Sequence, residues 1–400
     1  MHKTAIEIDE RRAVEHLMDL LRIEGLSGSE TAVAKEVERK LRAAGGQAAW
    51  IRRDAAHRRA ASFAPAGHAF ETGNLIVRLP GTLRGPARML SAHMDTVPMC
   101  RGAVPVRRGR RIVARGATGV RADNRAGVAA LVTIAETILR GRLPHPPLTL
   151  LFTVAEEIGL IGARTVRRAE IGTPAVAFNY DGGDPAEIVT GAVGAVKWEA
   201  DCHGYSAHAG LSPEKGVSAV LIAARAIARA AERGYFGRIV KGRRRGTANA
   251  GVLRGGEATN EVTARVFVRG ECRSHDRAFL RAIEKEWRAA FAWAAASVRD
   301  AEGRQGRVDL RVANDYAAFR LADDHRWVRF AVRVARRAGI EARTRVVDGG
   351  LDANPLNALG IPTITLGAGM HHPHSVKEYV DLPEYLRGCR LGLALATEAE

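Results

Sequence analysis

The sequence predicts an α/β fold with an inserted α+β segment. Three observations favour this class. Helical and strand-like stretches alternate from the N-terminus, acidic or histidine residues closely follow several apolar strands, and polar–apolar alternation takes over after Asp184. Sites of α/β proteins lie beyond the carboxyl ends of the strands, so these polar residues mark a candidate site.

Residues 1–187 carry the first part of the predicted main domain. Apolar residues at helical spacing predict a helix over 9–24, and Ser29 is the predicted cap of a helix over 30–43. Residues 99–118 are basic and contain Gly and Pro, which indicates an exposed loop or hairpin. The other predicted elements are strands at 72–79, 88–92, 148–154 and 175–180, and a buried helix at 126–139.

Residues 188–313 form the predicted inserted domain, and residues 314–400 complete the main one. In the insert, alternation predicts strands and Ala-rich runs predict helices. Its predicted elements are strands at 188–200, 261–273 and 307–312 and helices at 217–233 and 278–298. The final part is predicted to contain helices at 326–338 and 352–358 and strands at 342–347 and 362–366.

Composition restricts the class of protein. The chain has 400 residues, 46% of them hydrophobic and 26% charged, which is typical of a globular protein with a large core. The four scattered cysteines argue against a disulfide framework and fit a reducing compartment. Charges recur every few residues in the N-terminal stretch, which argues against a signal peptide or membrane span. We therefore expect a cytoplasmic protein without a membrane partner.

The net charge of +17 has two interpretations. One is an acidic partner such as nucleic acid, and the other is a diffuse arginine-rich surface. The basic clusters at 107–111, 243–245 and 333–337 are short and lack interleaved aromatic residues. This pattern favours the diffuse surface, so nucleic acid is not the expected partner.

Histidines and carboxylates stand at five places in the predicted main domain. These are His93 with Asp95, Asp123, Glu156 with Glu157, Asp181, and the cluster of His371, His372 and His374. Two histidines and three carboxylates, one of them shared, would hold two divalent ions of the zinc type. Adjacent glutamates suit a division of labour, in which one binds metal and the other takes a proton from water.

Several motifs closely resemble a known family, the dinuclear zinc peptidases. That family includes peptidase T (tripeptide aminopeptidase), bacterial glutamate carboxypeptidases and aminoacylases, and the resemblance spans most of the chain. For the fold, the resemblance implies a mixed central sheet with helices on both of its faces. ECRSHD and GGEATNEV are most similar to the peptidase T branch. The other matching segments are SAHMDTVP, ADNRAGVAAL, TVAEEIGLIGA, NYDGG, GYSAHAGLSPEKGVSA, VVDGGLDAN and HSVKEYV.

The resemblance implies a role for each candidate residue. His93 and Asp181 would bind one metal, His374 and Glu157 the other, and Asp123 would bridge them. Among the three clustered histidines, His374 fits because a small polar residue follows it and Glu378 stands four residues later. Asp95 would orient His93 without binding metal, Glu156 would be the general base, and the Asp123–Asn124 peptide is a candidate for the cis form.

The insert resembles the lid and dimerisation domain of these peptidases. The resemblance implies that His208 reaches the active site of a partner subunit and stabilises the oxyanion, so a homodimer is expected. Asn260 and Arg273 match residues that bind the substrate's carboxylate or carbonyl. Arg121 departs from the family, which usually has Gly there, and either binds an acidic substrate group or points outward.

The implied function is metal-dependent hydrolysis of short peptides by a metal-bridging hydroxide, with Glu156 as general base. The expected cofactors are two Zn²⁺ ions, with Co²⁺ or Mn²⁺ as alternatives. A second hypothesis is a deacylase or carboxypeptidase acting on N-acyl amino acids. A third is a non-catalytic basic binding protein, which the intact set of candidate ligands argues against.

Overall fold

The computed structural model describes residues 7–60 and 68–400. The chain divides into two compact units, one comprising Met1–Ala192 and Phe319–Glu400 and the other Val193–Ala318. The boundaries predicted from the sequence, 188 and 313, each lie five residues before those at 193 and 318. The first boundary differs because the single strand predicted at 188–200 is two strands in different sheets.

Helices and strands alternate along the chain, as the sequence predicts. In the described residues the helices are α1 (Glu10–Arg22), α2 (Thr31–Ala43), α3 (Ala56–Arg59), α4 (Ala122–Gly141), α5 (Ile161–Thr165), α6 (Arg168–Ile171), α7 (Ala219–Glu232), α8 (Arg277–Ser297), α9 (Arg326–Arg337), α10 (Ala353–Ala358) and α11 (Leu382–Thr397). The strands of the same ranges are β1 (Ile51–Arg53), β2 (Leu75–Leu79), β3 (Arg88–His93), β4 (Pro105–Arg108), β5 (Arg111–Ala114), β6 (Leu148–Thr153), β7 (Val176–Tyr180), β8 (Glu187–Ala192), β9 (Gly194–His203), β10 (Gly237–Lys241), β11 (Arg244–Gly255), β12 (Arg265–Ser274), β13 (Arg307–Tyr316), β14 (Phe319–Arg320), β15 (Arg343–Val347), β16 (Thr363–Leu366), β17 (Met370–His371) and β18 (Tyr379–Asp381).

A mixed sheet forms the centre of the first unit. Its strands lie in the order β1-β2-β6-β3-β7-β16-β8-β14, and β15 also pairs with β8. The central run from β6 through β3 and β7 to β16 is parallel, whereas β2 and β8 pair antiparallel with their neighbours in this run. The central strands are buried over their whole length, which explains their nearly continuous apolar sequences.

Helices cover both faces of this sheet, as predicted. Alternate strand residues enter two different hydrophobic clusters because successive side chains point to opposite faces. Leu90 and Phe178 pack in the larger cluster with residues of α1, α2, α4, α9 and α11. Met89 and Ala177 pack in the smaller one with residues of α5, α6 and α10. The strands therefore form the middle of three layers.

The main departures from the predicted elements are one helix cap, one helix and one hairpin. Ser29 does not cap α2; the residue before the helix is Glu30, and its side chain makes no cap. The C-terminal helix α11 and the β10–β11 hairpin were absent from the prediction. The stretch at 99–118 contains the β4–β5 hairpin, which joins a second sheet of the first unit in the order β17-β18-β5-β4.

The second unit has its own core. Its described strands form an antiparallel sheet in the order β10-β11-β12-β9-β13. Residues of α7 and α8 pack on that sheet, and the Trp198 ring lies 4.8 Å from that of Trp287 and 5.6 Å from that of Phe291. No helix in the described ranges of either unit has both the length and the apolar character needed to cross a bilayer.

Candidate active site

Three neighbouring parallel strands bring predicted site residues to one edge of the main sheet. β3 lies between β6 and β7 and runs parallel to both. His93 ends β3, Asp181 directly follows β7, and Glu156 and Glu157 follow β6 after two residues. Parallel strands end at the same edge, so these side chains lie close together, as predicted.

The carboxylate of Asp123 contacts two histidines, one through each oxygen. His93 Nε2 lies 3.0 Å from Oδ1 of Asp123, and His374 Nε2 lies 3.4 Å from Oδ2. Asp123 occupies the irregular first turn of α4, and its peptide bond to Asn124 is cis, as predicted. Two metals that share one carboxylate require this kind of arrangement.

A second carboxylate accompanies each histidine. Asp181 Oδ1 lies 3.7 Å from His93 Nε2, and Glu157 Oε2 lies 2.9 Å from His374 Nε2. One potential ligand atom from each of His93, Asp123 and Glu157 lies within 4.8 Å of the others. The structure therefore gathers the other four predicted ligand residues around Asp123.

The three clustered histidines have different surroundings. His374 faces Asp123 and Glu157. His371 instead contacts Glu384 and stacks on the Tyr379 ring, and His372 lies tilted against the same ring. The geometry thus singles out His374, the histidine that the resemblance indicated.

Asp95 lies behind His93, on the side away from Asp123. Its Oδ1 lies 3.3 Å from His93 Nδ1, whereas Nε2 of the same ring faces Asp123. The Ser27 hydroxyl donates to Asp95 Oδ2 at 2.6 Å. The Asp95 backbone carbonyl also lies 3.2 Å from His93 Nδ1, so Asp95 contacts the edge of the imidazole opposite Asp123. The predicted role of Asp95 in orienting His93 stays a prediction.

Residues 154–157 present four successive backbone N–H groups, and each donates to a side chain. Those of Glu156 and Glu157 donate to Asp95 Oδ1 and Oδ2, at 2.9 and 3.2 Å. That of Val154 donates to Asn74 Oδ1 at 3.1 Å, and that of Ala155 donates to Glu30 Oε1 at 2.9 Å. Sequence reasoning missed Asn74 and Glu30, because their partners lie 80 and 125 positions away.

Burial and hydrogen bonding oppose each other at the two histidines. Burial disfavours the charged form of His93, but hydrogen bonds to Asp123, Asp181 and Asp95 outweigh it and raise its pKa well above the usual value. Hydrogen bonds to Asp123 and Glu157 raise the pKa of His374 to about 10. Both shifts therefore favour the protonated rings when no metal replaces the proton.

The carboxylates divide into two groups. Burial opposes the ionised form of Asp123, but hydrogen bonds from His374 and His93 outweigh it and lower its pKa. Burial raises the pKa of Glu156 well above its usual value, and burial together with the Asp123 charge raises that of Glu157 to about 7. Burial also raises the pKa of Asp181. Positive charge at this site would relieve the repulsion among the buried carboxylates.

The donor set fits divalent metals of the zinc type. Imidazole nitrogens and carboxylate oxygens are ligands that zinc prefers. His93 and Asp181 form one pair, His374 and Glu157 form another, and each pair shares the Asp123 carboxylate. These five residues are the ones that would hold the metal.

Two buried acids beside the site were not predicted as site residues. Glu378 accepts from the backbone N–H of Asp123 at 3.0 Å and from that of Arg121 at 2.9 Å, so it holds the segment that carries Asp123. Asp352 accepts from the Thr153 hydroxyl, and its Oδ1 is buried without a hydrogen-bond partner among the described residues. Burial raises the pKa of Asp352 to about 7. Asp352 lies in the VVDGGLDAN segment that resembles the family, but the sequence alone did not indicate which residues it contacts.

Arg121 neither points outward nor faces a substrate, so both interpretations from the sequence were wrong. It is 2% exposed, and its Nη1 donates to the carbonyls of Leu21 and Ala103 at 2.8 and 3.0 Å. Its Nη2 lies 3.4 Å from Glu24 Oε2. Its φ of 70° lies in the left-handed region, where Gly is favoured. The guanidinium therefore ties this turn to the chain around α1.

The three predicted substrate-binding residues lie in the second unit. His208 Nδ1 accepts from the backbone N–H groups of Gly210 and Leu211 at 3.1 and 3.2 Å. The Ala209 N–H donates to the Asn260 carbonyl, so the loops of His208 and Asn260 lie side by side. On β12, the Arg273 guanidinium forms two hydrogen bonds with the Glu271 carboxylate.

Comparison with known proteins identifies the family. Peptidase family M20/M25/M40 matches residues 89–398. The uncharacterized protein YqjE of Bacillus subtilis (strain 168) is 30% identical over 393 residues, which cover 98% of this chain and 99% of that protein.

Two solved structures extend this similarity to three dimensions. Aminopeptidase PepT from Bacillus cereus ATCC 10987 is 31% identical with a TM-score of 0.79, and a tripeptidase from Staphylococcus aureus is 28% identical with a TM-score of 0.83. Each alignment covers 98% of both chains. The chain belongs to peptidase family M20/M25/M40 and to its peptidase T-like branch. The predicted family, fold class and peptidase activity are thus confirmed.

Replacing Arg121 by Gly should destabilise the protein by about 2 kcal/mol. The change removes three hydrogen bonds made by a charged side chain. Glycine relieves the strain of the left-handed backbone by about 1 kcal/mol, which offsets only part of that loss. Arg142 is the matched control, since it is exposed with a φ of 47° directly after α4. Arg142→Gly should leave stability unchanged or raise it by up to about 1 kcal/mol. Denaturant unfolding measures both, and equal effects would contradict the assigned role of Arg121.

Metal binding at this site should release protons. Both histidine pKa values are raised, so protons occupy the rings below those values and leave as the pH rises. Because a metal requires neutral imidazole, apparent Zn²⁺ affinity should increase from about pH 6 to pH 8. Roughly two protons should be released per chain at pH 7, one from each ring. Calorimetry in buffers of different ionisation enthalpy counts these protons. His203→Ala, in the second unit, should leave the count unchanged, and binding without proton release would contradict the assignment.

Proposed function

We propose that this peptidase is an aminopeptidase that removes the N-terminal residue from short peptides, tripeptides in particular, with two divalent metal ions. The observation that carries the proposal is the Asp123 carboxylate, which faces His93 with one oxygen and His374 with the other. Similarity to the Bacillus cereus aminopeptidase and the Staphylococcus aureus tripeptidase supports the substrate class.

The ligands divide between two metal positions. His93 and Asp181 would hold one ion, His374 and Glu157 would hold the other, and Asp123 would serve both. Zinc is the proposed metal because the donors are imidazole and carboxylate, and Co²⁺ or Mn²⁺ are the alternatives. When bound, the ions would lower the pKa of a water molecule and polarise the scissile carbonyl.

Glu156 is the proposed general base and acid. Burial raises the pKa of Glu156, which brings a carboxyl group closer to the range in which it both accepts and returns a proton. It would take the proton of the attacking water and deliver it to the leaving amine. Its backbone N–H is bound by Asp95, which also orients His93. Asp95 thus supports both the base and a ligand.

The second unit is proposed to be a lid and dimerisation domain in a homodimer. Two N–H groups donate to His208 Nδ1, which places the ring proton on Nε2. His208 of one subunit would donate that proton in a hydrogen bond to the oxyanion in its partner's site. Asn260 and Arg273 would bind the carbonyl or carboxylate of the peptide. Because Arg273 pairs with Glu271, a substrate carboxylate would compete with that ion pair.

The proposed compartment is the cytoplasm. The four cysteines are all free and buried, and burial raises the pKa of each thiol to about 12. Free thiols of this kind are typical of a reducing compartment.

An assay with paired substrates tests the proposed activity. The protein with zinc should hydrolyse a free tripeptide at its first peptide bond and should prefer it to the same peptide N-acetylated by about 100-fold in kcat/KM. A chelator should abolish turnover, and zinc should restore it. Preference for the acetylated peptide, or release of its acyl group, would instead establish the deacylase or carboxypeptidase alternative.

Two substitutions separate proton transfer from metal binding. Glu156→Gln should retain bound metal and lower kcat by about 10²- to 10⁴-fold, because the amide cannot accept the proton of water. Asp123→Ala should lose metal, because it removes the shared ligand. Metal analysis and tripeptide kinetics measure both, and Glu341→Gln is the exposed control that should match the unmodified protein. Near-normal turnover by Glu156→Gln would rule out its role as the base.

A further inference from the structure

Glu30 is a buried acid of the first unit that accepts two hydrogen bonds of ordinary length. Its side chain is 0% exposed and directly precedes α2. Oε1 accepts from the backbone N–H of Gly28 at 2.9 Å and from that of Ala155 at 2.9 Å. The first contact is local, whereas the second joins the start of α2 to the segment that carries Glu156 and Glu157.

Ala155 makes the turn that presents these two glutamates. Its φ of 53° lies in the left-handed region, which residues other than Gly adopt infrequently. Its carbonyl accepts from the Ile161 N–H at 3.1 Å, and its own N–H donates to Glu30. The hydrogen bond that Glu30 accepts therefore acts on the residue whose backbone conformation directs Glu156.

We propose that Glu30 is a positioning residue for Glu156, acting by hydrogen bonding to the Ala155 backbone. This inference rests on the proposed function, in which Glu156 is the general base. Asp95 holds the Glu156 N–H from one direction, and Glu30 holds the preceding N–H from another. With both contacts in place, the backbone on the N-terminal side of the base is bound at two successive residues. A displacement of about 1 Å at a catalytic group can cost on the order of 100-fold in rate.

The surroundings of Glu30 indicate that its acceptor oxygen matters more than its charge. Burial and the nearby Asp95 carboxylate raise the pKa of Glu30 to about 8. Burial lowers the pKa of the nearby Arg125 guanidinium, and the charges of Asp95 and Glu30 oppose that shift. Glutamine keeps the acceptor oxygen without the charge, so Glu30→Gln is a close substitute. Aspartate keeps the charge, but its shorter side chain reaches less far toward Ala155.

A series of variants tests the positioning role at saturating zinc. Glu30→Ala should lower kcat on a tripeptide by about 10- to 100-fold and change KM by less than about threefold. Glu30→Gln should stay within about threefold of the unmodified protein, and Glu30→Asp should fall between the two. Hydrogen–deuterium exchange of residues 154–157 should accelerate in the Ala and Asp variants and remain slow in the Gln variant.

A matched control separates positioning from loss of stability. Asp300, in the second unit, is a buried carboxylate that accepts from the backbone N–H groups of Glu302 and Arg304. Asp300→Ala and Glu30→Ala should both lower the melting temperature, but only Glu30→Ala should lower kcat. If Glu30→Ala does not fold, the two other variants test the proposal. The kcat of Glu30→Gln should then stay near that of the unmodified protein, and the kcat of Glu30→Asp should be lower.

Three results would overturn the proposal. They are unchanged kcat and exchange in Glu30→Ala, equal losses in Glu30→Gln and Glu30→Ala, or an equal loss of kcat in Asp300→Ala. An unmodified protein that binds metal and hydrolyses no peptide would instead overturn the proposed function. In that case the exchange of residues 154–157 still decides whether Glu30 anchors the turn.

Discussion

The carboxylate of Asp95 is the contact on which the rest of the site depends. The two oxygens of this carboxylate contact His93 at the end of β3, the backbone N–H groups of Glu156 and Glu157 after β6, and the Ser27 hydroxyl. Burying this charge is costly, but the hydrogen bonds and the His93 ring outweigh the cost and keep its pKa below the usual value. Asp95 thereby fixes the distance between a potential metal ligand and the proposed base.

Burial also disfavours the ionised forms of the other carboxyl groups around Asp95. Glu156, Glu157, Asp181 and Asp352 have raised pKa values because burial and mutual repulsion disfavour their ionised forms. The raised pKa values of His93 and His374 favour protonated rings, whose positive charge would offset part of that negative charge. Divalent cations would supply more positive charge at the same atoms. Protons and metal ions would therefore compete for the same atoms, which would tie metal loading to pH.

The sequence predicts the site best where local periodicity and chain order determine it. His93, Glu156, Glu157 and Asp181 follow apolar strands, so the parallel sheet alone brings them together. The β10–β11 hairpin and α11 escaped prediction, although α11 is largely buried against the main core. The weakly amphipathic Gly- and Ala-containing sequence of α11 carries little periodic signal. Its helical state depends on tertiary packing more than on local pattern.

Residues that hold the site through long-range contacts were less predictable. Glu30 looked like part of a helix start, yet its side chain binds Ala155 on the strand-end turn. Arg121 looked like a surface or substrate-facing cation, yet it binds backbone carbonyls in the interior. A glutamate or an arginine can lie at the surface, face a substrate or bind backbone groups in the interior. Which of these occurs depends on residues that become neighbours only when the chain folds. Hydrogen bonds of this kind join residues that are far apart in the chain, so they produce no regular spacing in the sequence.

The two halves of the candidate metal site are held in different ways. His93 is 2% exposed and ends a central strand, so the main sheet fixes its position. His374 is 53% exposed and lies in a left-handed conformation between β17 and β18. Glu378, four residues later, binds the backbone N–H groups of Asp123 and Arg121. The short segment from His374 to Glu378 therefore connects the exposed potential ligand to the backbone of Asp123, the residue that would bridge the two metals.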